Sequence, residues 1–326
     1  MRDRINEIYV KSMLEECCIH EDKSRLVTLK SKGKAIDISL VIKSLRNDQV
    51  ILIQNVEPDE ADSIMLSIAE KFELSESLEV QSGFVSNLEH RNNVGRYFMS
   101  VNKRKDYQFI SSHSEGDSFI KIQLASFYCF ENSTDGGASI LMNVNQQSDV
   151  WAGLREKVRR GKSNRTLTPS EISQIKIMVQ LNMPEDTLKE SDEILSQNTV
   201  VPGFTVFEVL TSLRKTHCKV LDKKLYVYWD SISSIDHDSA LEYYDFLKKC
   251  KLLKLNPNNL DIRTLDNASA RRLGNFGSKY DQLFKCKITH KMQPGDFIIQ
   301  NNLSWTHSAS NWTPGSGTRN IVGSFA

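Results

Sequence analysis

FKCKITHKMQPGDFII, residues 284–299, decides the fold. Phe284, Cys286, Ile288 and His290 alternate with Lys285, Lys287 and Thr289, which is the period of two of a half-buried strand. Pro294-Gly295-Asp296 is a tight turn, and Phe297-Ile298-Ile299 opens a second strand. Residues 318–326 read as a short final strand. Upstream, residues 119–130 read as β, densest in apolar residues from Leu124 to Phe130. Asn132 to Gly137 is a turn, and Ser139-Ile140-Leu141-Met142 returns as a strand. β-structure therefore brackets the middle of the chain. The spacing predicts one domain over 1–326, with a β-core at about 80–150 and 282–326.

Between these blocks, residues 151–280 read as a mostly helical insertion, with a strand near Leu225–Trp229. Val150, Trp151, Leu154 and Val158 have helical spacing, and Thr168-Pro169-Ser170-Glu171 is a capping box. Residues 239–251 read as helical. At the N-terminal end, residues 5–17 and Asp37–Arg46 read as helices and 49–54 as a buried strand. Pro58-Asp59-Glu60 opens a further helix, with Ile64, Ile68 and Phe72 on one face. The fold class expected is α+β, mainly β: a sandwich with N-terminal helices and a large helical insertion.

The 326 residues include 39% apolar and 25% charged side chains, enough to build a core and too apolar for wholesale disorder. Lys plus Arg number 42 against 41 Asp plus Glu, so no global field points to nucleic acid or an anionic membrane. No apolar run reaches the length of a membrane span, and Met1–Glu7 reads into an amphipathic segment, not a signal peptide. Cys17, Cys18, Cys129, Cys218, Cys250 and Cys286 lack paired spacing, which reads as reduced thiols in a cytoplasmic setting.

The chemistry concentrates in His113-Ser114-Glu115, His307 and Arg319. Positions i and i+2 of a strand point to the same side, so His113 and Glu115 can reach one ion together. His307, from a distant strand, would complete a face of two imidazoles and one carboxylate, a set that suits non-heme Fe(II) with open positions.

With their order, the motifs HSEGDSF, LASFYCFENSTDGGASILMNV, PGDFIIQNNLSWTHSASNW and GTRNIVGSF resemble the Fe(II)- and 2-oxoglutarate-dependent oxygenases of the taurine dioxygenase and clavaminate synthase type. The helix before QVILIQNV is similar to that family's N-terminal region. The resemblance covers the β-blocks, under half the chain. It implies a double-stranded β-helix, or jelly roll, and an enzyme that uses Fe(II), 2-oxoglutarate and O2. His113, Glu115 and His307 would be the iron ligands. Arg319 would pair with the distal carboxylate of 2-oxoglutarate, a role that suits a planar, permanently charged fork. Ser139 stands where the family has a threonine assisting that carboxylate, and Gly323 where many relatives carry a second arginine. Glu115 argues against halogenating relatives, which put a small residue there. It resembles the branch acting on amino acids and amino-acid-derived natural-product intermediates, free or tethered to carrier proteins. The reaction implied is hydroxylation of an unactivated C–H. Desaturation, epoxidation and cyclisation share these ligands. A silent jelly-roll binding protein, or an iron enzyme with another co-substrate, are the competing readings.

Other residues carry plainer readings. Arg96 is a candidate for a substrate carboxylate, against a surface salt bridge. Lys103-Arg104-Lys105 could dock an acidic carrier, against a solvated basic turn. His290 reads as a satisfied core histidine before a pocket group, and His217-Cys218 as packing. His20, His90 and His237 read as exposed. Trp305 and Trp312 flank His307 as pocket wall or core, and Asn302 resembles a family position that orients the strand, which implies a structural role.

Overall fold

The computed structural model describes residues 19–31, 35–88, 92–101, 109–116, 121–229, 239–254 and 280–326. The helix expected at 5–17 lies outside them, as do Cys17, Cys18, His90, Lys103 to Lys105 and His237. In chain order come β1 (His20–Glu21), β2 (Leu26–Lys30), α1 (Ile38–Arg46), β3 (Val50–Gln54), α2 (Pro58–Lys71) and α3 (Ser75–Leu88). Next are β4 (Asn93–Val94), β5 (Phe98–Ser100), β6 (Ile110–His113), β7 (Leu124–Asn132) and β8 (Ser139–Val144). Then follow α4 (Val150–Gly153), β9 (Arg155–Ser163), α5 (Pro169–Val179), β10 (Glu193–Val201), β11 (Phe204–Ser212), β12 (Thr216–Cys218), β13 (Lys223–Leu225) and α6 (Ser239–Lys249). The chain closes with α7 (Tyr280–Leu283), β14 (Phe284–His290), β15 (Phe297–Asn301), β16 (Trp305–Ala309) and β17 (Arg319–Phe325).

Two sheets form the core, a five-stranded one ordered β1-β14-β8-β16-β6 and a seven-stranded one ordered β2-β3-β15-β7-β17-β5-β4. They face each other across one apolar layer. Val50, Leu52, Cys129, Ile298 and Ile321 come from the larger sheet, and Leu141, Cys286, Ile288 and Trp305 from the smaller. Each such side chain, taken fully from water, contributes about 1.5–3 kcal/mol. From β5 on, the core strands alternate between sheets, except that β8 and β14 are neighbours in one. The insertion thus leaves and returns at adjacent strands, so the two β-blocks of the sequence meet in the same sheets.

Helices cover both outer faces. Leu45, Met65, Ile68 and Leu78 of α1 to α3 pack with Ile53, Tyr128, Phe297 and Ile299 behind the larger sheet. Tyr243, Phe246, Leu247 and Leu283 of α6 and α7 pack with Ile140, Met142 and Phe284 behind the smaller. The local signals explain the starts. The Asp37 carboxylate accepts from the Leu40 amide at 3.2 Å, and Pro58 stands in the first turn of α2. In α5, Thr168 and Glu171 cap each other, with Arg165 paired to Glu171.

The mostly helical insertion expected over 151–280 is corrected. Its described residues contain the antiparallel sheet β10-β11-β9 beside α5 and α6. α4 ends after one turn, and Val158, which shares helical spacing with Trp151 and Leu154, stands in β9 opposite Val209. The decisive signal is Pro202-Gly203, a two-residue connection that sets Val201 opposite Phe204, with Gly203 at φ +83°. The strand expected near 225–229 ends at Leu225, and Trp229 makes a single bridge to Ser114. Among the described residues no helix is long and apolar enough to cross a membrane.

Candidate metal centre

Strand register builds the centre. His307 of β16 lies opposite His113 of β6 on one side and Leu141 of β8 on the other. Directly paired residues point to the same face, and Leu141 belongs to the layer between the sheets. Both imidazoles therefore point inward. On the opposite face the Ser112 and Thr306 hydroxyls bond at 2.5 Å, which pins β6, an edge strand, to β16.

Glu115 lies just beyond β6. Its Oε1 is 3.4 Å from His307 Nε2 and 3.7 Å from His113 Nε2, and one ligand atom from each of the three residues lies within 4.8 Å of the others. Ligands bound at right angles about 2.1 Å from one ion would stand roughly 3 Å apart, so small side-chain adjustments close the set on a single divalent cation. His113 Nδ1 lies 2.8 Å from the Ser111 carbonyl, which fixes the proton there and leaves Nε2 free to coordinate. Burial by itself would raise the Glu115 carboxyl, but hydrogen bonds from His113 and His307 outweigh it and hold the group well below its usual range. The centre thus brings one carboxylate and two imidazoles together, with Phe127 packed against His307 at 4.7 Å between ring centroids.

Asn302 holds Glu115 in place. Its Oδ1 accepts from the Glu115 amide at 2.9 Å, while its Nδ2 donates to the carbonyls of Glu115 and Ile122 at 2.9 and 2.8 Å. Asn302→Ala removes all three bonds and strands buried backbone groups. We expect a loss of about 3 kcal/mol in denaturant unfolding, with weakened metal binding.

One row along the smaller sheet, Ser139 lies opposite Ala309 and His290, on the same inner face. Across the gap, Arg319 shares the inner face of β17 with Ile321 and with Gly323, which lies opposite Phe127. Arg319 and Gly323 are four residues, roughly 13 Å, apart along the strand. The Arg319 Nε donates to the Gly137 carbonyl at 3.2 Å. Gly137 has φ +64°, and a Cβ there would stand 2.9 Å from Arg319 Cδ. Among the described residues no carboxylate pairs with this guanidinium, and burial pulls it down to about 10, still charged at neutral pH. At Gly323 a Cβ would meet the Phe325 ring at 2.8 Å, so that ring occupies the space a second arginine would need.

The remaining candidates separate from the cluster. Arg96 is exposed, bonded to Glu79 at 2.9 Å and laid over the Tyr97 ring. His290 bonds the buried Asp296 at 2.8 Å, and His217 is an exposed partner of Asp222. His20 is exposed. Trp305 is wholly buried, and Trp312 is buried too. Sequence reasoning missed Gln300 and Phe127, both beside His307. For Gln300 the available signal was an amide that directly follows the apolar run Phe297-Ile298-Ile299.

No family model matches the chain, and no curated protein matches it. Solved structures similar to it include AAD-2 in complex with Mn(II) and N-oxalylglycine, at TM-score 0.44 and 11% identity over 94% of this chain and 96% of that one. Another is PvcB, an Fe, alpha-ketoglutarate dependent oxygenase from an isonitrile synthetic pathway, at TM-score 0.40 and 9% identity over 92% and 84%. A third is described as an alpha-ketoglutarate dependent 2,4-D dioxygenase from Burkholderia xenovorans, at TM-score 0.38 and 12% identity over 92% of each chain.

Proposed function

We propose that the chain is a single-domain, non-heme Fe(II)- and 2-oxoglutarate-dependent oxygenase whose two-sheet core is a double-stranded β-helix. The observation that carries the reading is one inward-facing set of His113, Glu115 and His307, with the guanidinium of Arg319, which pairs with no carboxylate among the described residues, on the facing sheet. Bound Fe(II) supplies the redox chemistry that couples decarboxylation of 2-oxoglutarate to oxidation of a C–H bond by O2. The protein's part is to hold and orient. His113, Glu115 and His307 occupy one side of the ion and leave the other open. Arg319 takes the distal carboxylate of the co-substrate through its planar fork. Ser139, whose hydroxyl has no partner among the described residues, lies on the facing wall as a second donor to the same group. Phe127 and the apolar layer exclude water beside the ion.

The substrate class follows from Glu115 and the family branch it resembles: a small amino acid or amino-acid-derived intermediate, free or carrier-tethered. The reaction is hydroxylation, in which substrate, O2 and 2-oxoglutarate give alcohol, succinate and CO2. The test is aerobic turnover with Fe(II), 2-oxoglutarate and a panel of amino acids. We expect succinate to form, faster with the right amino acid, and to vanish in His113→Ala. Unchanged succinate formation in that variant, or no consumption of 2-oxoglutarate at all, contradicts the proposal.

A further inference from the structure

Gln300, the fourth residue of β15, is a fully buried amide that follows three apolar residues. It shares the inner face of β15 with Ile298 of the inter-sheet layer, so its side chain reaches toward the smaller sheet. Its Nε2 donates to the Trp305 carbonyl at 3.1 Å and lies 3.3 Å from His307 Nδ1. Its Oε1 is buried with no hydrogen-bond partner among the described residues. Buried amide oxygens are rarely left unsatisfied, so this one requires an explanation.

The chemistry of an imidazole ligand supplies it. A metal on Nε2 of a neutral ring requires the proton on Nδ1, and that N–H needs an acceptor. In the present arrangement an amide nitrogen faces Nδ1, which suits a ring protonated on Nε2. A half-turn about the last side-chain bond of Gln300 exchanges its nitrogen and oxygen. The oxygen then accepts from Nδ1–H, while the amide nitrogen takes the partnerless position and the oxygen faces the Trp305 carbonyl in place of its donor, a cost that coordination at Nε2 must offset.

Resting on His307 as a metal ligand, we infer that Gln300 is a positioning residue for it: the amide selects the ring tautomer and turns its oxygen to Nδ1–H when a divalent ion occupies Nε2. Unlike Ser111, whose backbone carbonyl can only accept, Gln300 can serve either tautomer. His307 is thereby the ligand whose state changes on loading, whereas His113 is preset.

The test compares Gln300→Met, which keeps the volume and removes the amide, with Gln300→Glu, which keeps an acceptor. Two readouts are used: anaerobic Mn(II) affinity, and the ring-nitrogen NMR shifts of His307 in metal-free, histidine-labelled protein. We expect Gln300→Met to bind Mn(II) about 10–100-fold more weakly. Gln300→Glu should bind within a few-fold of the parent and move the metal-free ring to the Nδ1–H form. Parental affinity in Gln300→Met would overturn the inference, and so would equal weakening in both variants, which would mark a packing role. His307→Ala separates the two levels. If it loses Mn(II) while Gln300→Met does not, only the role of Gln300 fails; if it retains Mn(II), the metal-centre reading itself fails.

Discussion

His307→Ala is expected to bind Mn(II) or Fe(II) more than about 100-fold more weakly than the parent chain. That exceeds the 10–100-fold which loss of an outer partner typically costs, because His307 is one of the three ligands proposed among the described residues. The fold should survive. His307 sits in a strand paired on both sides, and its neighbours Trp305 and Leu141 hold the inter-sheet layer without it. The imidazole also packs on Phe127, so a cavity term of about 1–3 kcal/mol is expected in unfolding. Calorimetric metal titration beside a denaturant melt checks both. A variant that melts normally and binds metal normally would remove His307 from the ligand set.

Arg319→Met should have two opposite effects. The apparent affinity for 2-oxoglutarate should fall on the order of 100-fold, the worth of about 3 kcal/mol in charge-assisted hydrogen bonds. Without co-substrate, the same variant should melt higher than the parent. The sign follows from the guanidinium, which burial pulls down to about 10. A cation depressed on folding opposes the folded state at every pH below that value, and methionine fills similar space without charge. Added 2-oxoglutarate should stabilise the parent and leave the variant unmoved. In the parent, co-substrate affinity should also decline as the pH rises through about 10. Equal melting temperatures with unchanged 2-oxoglutarate affinity would place the distal carboxylate elsewhere.

Much of the core was legible because its strands carry their period openly. Cys286, Ile288 and His290 alternate as read, whereas Phe284, beyond a register shift, turns to the outer face, and Pro294-Gly295-Asp296 leads directly into β15. The meeting of His113, Glu115 and His307 was legible for the same reason: the first two are two apart on one side, and His307 follows a strand and a turn. The insertion was misread because Val150, Trp151, Leu154 and Val158 satisfy a helical template that the chain uses for only one turn. β9 hid its nature by carrying arginines and lysines where an alternating strand has apolar residues; Arg160, buried against Asp186 and Asp192, replaces one of them. Of the partners around the cluster, Asn302 was legible as a structural residue but not its hold on Glu115, and Gln300 was not legible at all. Asn302 reaches Glu115 across 187 residues and Gln300 reaches His307 around a turn, contacts set by register and invisible to local pattern.

The most direct test of the account is an anaerobic visible spectrum of metal-free protein titrated with Fe(II) and then 2-oxoglutarate. A weak charge-transfer band should appear only when both are present, and should be absent from His307→Ala. Bound iron with no band on adding 2-oxoglutarate would contradict the co-substrate assignment. A band that persists in His307→Ala would contradict the metal centre described for His113, Glu115 and His307.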